Sequence, residues 1–295
     1  MPDAAPLVDQ VEYWNGLVGQ RWAEHQERLD RAFAPLTQGL LEGVAARPGE
    51  QVIDVGCGAG VMSLALAPVL GREGRILAVD ISRPMLERAR AREREHRSAE
   101  WAPIAWREAD AGTFAFPSGG SDLIVSRFGT MFFADPVAAF RNLRQALRPG
   151  GRLVMLCWQP LAENPWIAVP RAAMLPIVPV PPPVPPDAPG PFAFADAARV
   201  GAILARVGFD EVRSSTVAGS LQVCPAPQPG GAAVLDAAVA FVTELGPASA
   251  LLREVDPITR TRAMAAVRGA FQAKWGSAPP QLEARCWLFT AANPG

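Results

Sequence analysis

The sequence predicts an α/β protein built on a doubly wound, largely parallel sheet, and three observations carry that prediction. From about residue 50 to 155, short apolar runs alternate with amphipathic helical stretches in units of roughly 25–30 residues. The first run ends in a glycine-rich turn, Val52-Ile53-Asp54-Val55-Gly56-Cys57-Gly58-Ala59-Gly60, between a strand and a helix. Acidic residues then recur where successive strands end, at Asp80 and Asp110. Repeated strand, helix, strand units leave few architectures besides such a sheet.

The elements follow in order. Gln51 to Val55 is a short β-branched strand, and Ser63 to Leu70 has helical composition. Arg75 to Asp80 is a second strand after the Gly71 and Gly74 turn. Ser82 caps a helix with Met85, Leu86 and Ala89 on one face. Its arginines (88, 90, 92, 94 and 97) interleave with Glu87, Glu93 and Glu95, the pattern of a solvated face rather than of a nucleic-acid patch. Ile104 to Ala109 and Asp122 to Ser126 are the third and fourth strands. Asp135 with Pro136 starts a helix that buries Val137, Phe140, Leu143 and Leu147 and stops before Pro149, and Arg152 to Trp158 is the fifth strand. Beyond it come a helix over 163–175, a proline tract, a helix from Asp196 to Val207 ended by Gly208, and a strand from Phe209 to Val217. Helices over 233–244 and 257–273 and a strand from Ala284 to Ala291 complete the chain, which has no internal repeat. The division is into an N-terminal helical segment (1–45), a core (46–159), a proline-rich insert (160–195) and a C-terminal completion of the sheet (196–295).

Composition narrows the function classes. The 295 residues are 49% hydrophobic and 19% charged, with a net charge of −1, so no basic field draws the chain to nucleic acid or to an anionic membrane. Residues 1–30 carry Asp3, Asp9, Glu12, Glu24 and Glu27 without a basic and then apolar leader, and no apolar stretch reaches the ~18–20 residues of a membrane span. Cys57, Cys157, Cys224 and Cys286 lack C-x-x-C spacing, which predicts reduced thiols, a cytoplasmic setting and no metal site. The 30 prolines are about double the usual ~5% share. Nine of them (176, 179, 181, 182, 183, 185, 186, 189 and 191) crowd into sixteen residues. That stiffened stretch is either a cap over a ligand or a surface linker.

The glycine turn carries the chemistry. Glycines at a strand-to-helix junction let the backbone bend sharply and approach a ligand that side chains would exclude. The dinucleotide pattern G-x-G-x-x-G needs glycine where this chain has Val61, so a ligand without a pyrophosphate is indicated. Asp80 is placed to accept hydrogen bonds from ribose hydroxyls, because adjacent parallel strands end on the same edge. Asp110 either accepts from an exocyclic adenine amine, with Ile81 and Met85 enclosing the ring, or is simply a turn residue. Together these describe a nucleoside site.

Asp54 to Gly60, Ile76 to Asp80, Glu108 to Ala111, Asp122 to Ser126 and Leu147-Arg148-Pro149-Gly150-Gly151-Arg152-Leu153 resemble the successive motifs of class I S-adenosylmethionine-dependent methyltransferases. The likeness spans about residues 45–160 and is nearest the small-molecule branch that includes quinone-biosynthesis methyltransferases. It implies a Rossmann-like seven-stranded sheet of order 3-2-1-4-5-7-6 with the last strand antiparallel. It implies S-adenosyl-L-methionine as cofactor, S-adenosyl-L-homocysteine as product and a small-molecule acceptor, with monomer and homodimer both open. Carried over by position, Gly56, Cys57, Gly58 and Gly60 lie along the methionine part with Asp54 close by. Asp80 meets the ribose, Asp110 and Ala111 meet adenine with Ile81 and Met85, and Ser126 and Arg127 stand by the sulfonium. The stretch Ser126-Arg127-Phe128-Gly129 lacks the Asn or Asp, Pro-Pro, aromatic motif of the branches that methylate nucleic acid or protein. Met131, Phe132 and Phe133 stand where quinone-type relatives often have histidine, which speaks against a quinone ring.

By the same resemblance the N-terminal helices form a lid, with Trp14, Gln20 and Trp22 as cofactor contacts; the two tryptophans equally suit plain core packing. His25, on that lid, is the candidate general base, whereas His96 lies in a charged surface run. Phe128, Met131 and Phe132, with Trp166, Phe192 and Phe194 from the insert, are the candidate acceptor wall. The expected reaction is in-line methyl transfer to O, N or C of an apolar or aromatic metabolite. A cyclase or isomerase using the sulfonium only as a charge, or a non-catalytic partner subunit, would keep the same motifs.

Overall fold

The computed structural model describes residues 9–295 except 184, 186, 225–230, 277 and 279. Asp3, Pro186 and the first eight residues of the N-terminal segment therefore lie outside the described residues. Four short helices come first: α1 (Gln10–Asn15), α2 (Leu17–Glu24), α3 (Gln26–Ala32) and α4 (Ala34–Val44). The core follows as β1 (Gln51–Val55), α5 (Val61–Leu70), β2 (Arg75–Asp80), α6 (Arg83–His96), β3 (Ile104–Glu108), β4 (Ser121–Arg127), α7 (Pro136–Ala146) and β5 (Leu147–Trp158). The chain ends with α8 (Pro165–Met174), α9 (Ala197–Arg206), β6 (Asp210–Ser220), α10 (Gly231–Glu244), α11 (Pro257–Trp275) and β7 (Glu283–Ala292).

The seven strands form one sheet of order β3-β2-β1-β4-β5-β7-β6, the predicted order. The first five are parallel, and β7 runs antiparallel between β5 and β6. Helices cover both faces, so β1 and β4 read as nearly unbroken apolar runs; Ile53, Leu123, Ile124 and Val125 are all buried. One expectation is corrected at the α7–β5 junction. Leu147 is buried, but as the first residue of β5, paired with Ser121, because α7 has already ended at Ala146. Val137, also assigned to the buried face of that helix, is only half-buried.

Two features fix where the site lies. Val55, Asp80, Glu108, Arg127 and Trp158 end their strands, and because β1 to β5 are parallel these ends share one edge of the sheet. The N-terminal helices are tied to both edges of the sheet, at the site edge by Arg127, which donates to Thr37 Oγ1 of α4 at 3.0 Å. At the far end of α4, Arg152 bonds Glu50 in a two-pronged pair (2.7 and 3.0 Å) and donates to the carbonyls of Val44 and Ala45. A guanidinium fork suits this task, since it satisfies a carboxylate and orphan helix carbonyls at once. No described helix is long and apolar enough to cross a membrane.

Candidate active site

The glycine turn is built by its backbone. Gly56, Gly58 and Gly60 have φ of 65°, 54° and 82°, a region that costs other residues strain. Gly56 N–H and Cys57 N–H both donate to Val79 O, locking the turn to β2. A Cβ on Gly56 would sit 2.6 Å from the Gly129 Cα, so the loops after β1 and β4 touch backbone to backbone. Ser126 Oγ donates to Val55 O and accepts from Gly129 N–H, which clamps that contact.

Asp80 stands beside this turn. One carboxylate oxygen accepts from Gly58 N–H at 2.7 Å and the other from Ser82 N–H at 2.8 Å. With a further backbone contact from Ile81, the carboxylate still keeps acceptor capacity for a ligand. Burial pushes the Asp80 carboxyl up. Asp54 accepts from Ser63 Oγ at 2.6 Å on one oxygen, while Oδ1 is buried without a hydrogen-bond partner. Its burial, only partly offset by Ser63 and Arg127, pushes the carboxyl up to about 6. Asp110 closes an Asx turn by accepting from Gly112 N–H at 2.8 Å.

A single cavity of about 210 Å³ runs along this edge. Asp54, Gly56, Cys57, Gly58, Asp80, Ile81, Met85, Asp110, Ala111, Arg127, Trp14 and Trp22 line it, as do Phe128, Met131, Phe132 and Trp166. The cavity therefore joins the glycine turn and its carboxylates to an aromatic chamber. Phe128 and Trp158 stack there with ring centres 4.3 Å apart and planes 7° from parallel. Phe128 holds this stack with a φ of 67°, strained for a residue with a side chain.

Several predicted residues stand elsewhere. His25 is the joint between α2 and α3, in an outer surface recess with Glu24, Glu27, Arg28 and Arg88, because the break in the helix there turns it away from the cavity. We expect His25→Ala to leave turnover and its pH profile unchanged; loss of the acidic limb of the profile, where a general base would be protonated, would contradict this placement. Gln20 is exposed and outside the cavity lining. Phe194 is buried against Phe140, and Phe192 packs on the core, so neither is a wall residue. Of the insert over 160–195, Trp166 and Pro191 reach the lining, the latter next to Gly190, whose N–H donates to Met131 O. Val180 and Pro182 are exposed. Gly60 and Ser126 shape the loops from behind the lining; a Cβ on Gly60 would meet the Trp106 ring at 2.6 Å.

Sequence reasoning missed the ties that seat the lid. Asn15 donates to Ile81 O and accepts from Arg83 N–H, and Ser82 Oγ donates to Trp14 O at 2.7 Å. Asp30, lining the cavity from α3, accepts from Gln26 and pairs with Arg92 at 2.8 Å and Arg127 at 3.7 Å. Burial lowers the Arg127 guanidinium, with Asp30 and Asp54 opposing that shift. Tyr13 and Arg253 meet at the cavity rim, with Arg253 Nη2 2.7 Å from the Tyr13 hydroxyl. Apart from the i,i+4 pair Gln26–Asp30, each tie joins residues far apart in sequence, with no local spacing to announce it.

Residues 52–151 match the family model of a methyltransferase domain. The core is thus similar to methyltransferase domains. The domain is similar to nocamycin O-methyltransferase of Saccharothrix syringae, 34% identical over 121 residues, 41% of this chain and 42% of that protein. It is likewise similar to 2-phytyl-1,4-naphtoquinone methyltransferase of Synechococcus elongatus, 34% identical over 112 residues, 38% of this chain and 47% of that one. The chain thus spans less than half the length of these curated relatives. Among solved structures, the fold is shared with Haemonchus contortus phosphoethanolamine N-methyltransferase 2 in complex with S-adenosyl-L-methionine (TM-score 0.59, 13% identity, 98% of this chain and 61% of that chain). It is also shared with the cyclase SpnF (TM-score 0.57, 16% identity, 99% of each chain).

Proposed function

We propose that the chain transfers a methyl group from S-adenosylmethionine to O, N or C of a small apolar or aromatic metabolite. The observation that carries this reading is the single cavity in which the Gly56–Gly58 turn, Asp54 and Asp80 open onto the Phe128–Trp158 chamber. The residues fit the cofactor: a buried carboxylate oxygen of Asp54 lacks a partner, Asp80 keeps acceptor capacity, and the glycine backbone leaves room. Once bound, the cofactor supplies a methyl group already activated by a sulfonium.

In this reading Asp54 Oδ1 receives the methionine ammonium, Asp80 the ribose hydroxyls, and Asp110, Ala111, Ile81 and Met85 enclose the adenine. Trp14 and Trp22 cover the cavity; Trp14 meets Trp22 and Phe132 edge to face, at 5.5 and 5.2 Å. The chain's work is then orientation and exclusion of water, which together lower a barrier by several kcal/mol. No histidine or lysine is among the described lining residues, and Asp30 and Glu244 are each held by arginine. An acceptor that is acidic or already nucleophilic is therefore favoured. The test is stoichiometric formation of S-adenosylhomocysteine and a methylated product. Turnover of an acceptor without S-adenosylhomocysteine would replace methyl transfer with a cyclase or isomerase role.

This reading has a pH signature. A carboxyl raised from its usual 3.8 to about 6 keeps its proton in the folded, ligand-free chain while the unfolded chain ionises. Asp54 thus favours folding fully below pH ~4, and that contribution, about 3 kcal/mol, is lost as pH rises through ~6. An ammonium against Oδ1 reverses the shift, so binding below pH 6 releases a proton and affinity falls about tenfold per unit of further acidification. Calorimetry at pH 5.5 in two buffers of different ionisation enthalpy checks this; equal heats would refute it.

A further inference from the structure

The aromatic chamber has a donor that nothing in the fold satisfies. Phe33 lies at its centre, its ring 5.9 Å from Phe128 and 5.8 Å from both Trp158 and Trp166. Trp158 and Trp166 are 5.2 Å apart at 53°. Trp166 is 1% exposed and lines the cavity, yet its Nε1–H has no hydrogen-bond partner. Two other indoles of the chain are satisfied: Trp106 donates to Glu93 at 2.7 Å and Trp287 to Ala195 O at 2.8 Å. A buried donor without a partner is costly, and a phenyl ring would fill the same wall without that cost. Gly246 packs closely on this ring: a Cβ there would come within 3.1 Å of it, a tight contact.

We propose that the ligand of this chamber is a planar aromatic or conjugated ring bearing an oxygen, hydroxyl or carbonyl, that accepts the Trp166 Nε1 hydrogen bond while the ring lies against the Phe128–Trp158 stack. Taking that ligand as the methyl acceptor rests on the methyltransferase reading. The ring requirement follows from flat walls at van der Waals range, which reward an equally flat occupant. The oxygen requirement follows from the orphan donor, since a site built to hydrogen-bond a group discriminates strongly against analogues lacking it. Trp166 is thereby a specificity-determining residue.

The test is equilibrium binding to the full chain loaded with S-adenosylhomocysteine, using 2-naphthol, its methyl isostere 2-methylnaphthalene and the saturated decahydro-2-naphthol as probes. Wild type is expected to bind 2-naphthol at least about tenfold more tightly than either analogue. Trp166→Phe, which keeps the ring and removes the donor, is expected to weaken 2-naphthol about tenfold and leave 2-methylnaphthalene unchanged, with an apo melting temperature equal to or above wild type. Equal loss for both bicyclic arenes, or no loss for either, overturns the proposal. If the variant does not fold, the wild-type order alone decides: a preference for 2-methylnaphthalene or for the saturated alcohol overturns it. Because binding is read without turnover, failure of methyl transfer shows separately, as absence of S-adenosylhomocysteine formation from S-adenosylmethionine.

Discussion

Gly56→Ala is expected to abolish cofactor binding. The substitution places a methyl group 2.6 Å from the Gly129 Cα, at a backbone φ of 65°. The obstacle is main chain, which cannot swing aside as a side-chain tip would, and the left-handed conformation alone costs alanine roughly 1–2 kcal/mol. The β4 loop must retreat, taking with it the Ser126 clamp and the Phe128 ring. We expect affinity for S-adenosylhomocysteine to fall by more than about 100-fold and the melting temperature to drop by several degrees. Gly129→Ala should behave alike, because its Cβ meets Val55 O and Gly56 Cα at 2.6 and 2.7 Å. Near-normal binding by both variants would show that the contact between the loops is dispensable.

Asp80→Ala is the second large effect, and it separates binding from folding. The carboxylate holds the Gly58 and Ser82 N–H groups in place, and in the proposed complex its remaining acceptor capacity serves the ribose. Hydrogen bonds to a charged group contribute about 1.5–3 kcal/mol each, so loss of the ligand's pair predicts a complex weaker by roughly 100- to 10,000-fold. Folding suffers less, because burying this carboxyl already carries a desolvation cost, seen in its raised pKa, that the variant no longer bears. Asp80→Asn keeps the volume but turns one acceptor into a donor, and should recover only part of the affinity. Comparing titration and thermal melts of the two variants checks this.

The two variants also mark what the sequence made legible. The glycine turn and Asp80 are local features: a strand, a run of glycines at fixed spacing and an acid at the next strand's end place themselves once the sheet is parallel. The strand order was implied by the family resemblance that the motifs along about residues 45–160 carry. The lid was not legible in the same way. His25 sits between two helices of eight and seven residues, where φ is −97° and ψ is 20°, so helical spacing carried across that joint points the ring in the wrong direction. Phe194 shows a second limit: an aromatic after a proline tract looks like a pocket wall, yet it serves the core beneath α7. The Asp30, Arg92 and Arg127 cluster and the Tyr13–Arg253 pair join segments up to 240 residues apart. Only the folded chain brings them together.

The most direct test of the central claim is calorimetric titration of the full chain with S-adenosylmethionine and, separately, with NAD. One S-adenosylmethionine per chain is expected, with a dissociation constant within about 1 μM to 1 mM that is weakened in Asp80→Ala, and no heat with NAD. Binding of NAD, or no binding of S-adenosylmethionine by the folded wild-type chain, would contradict that claim.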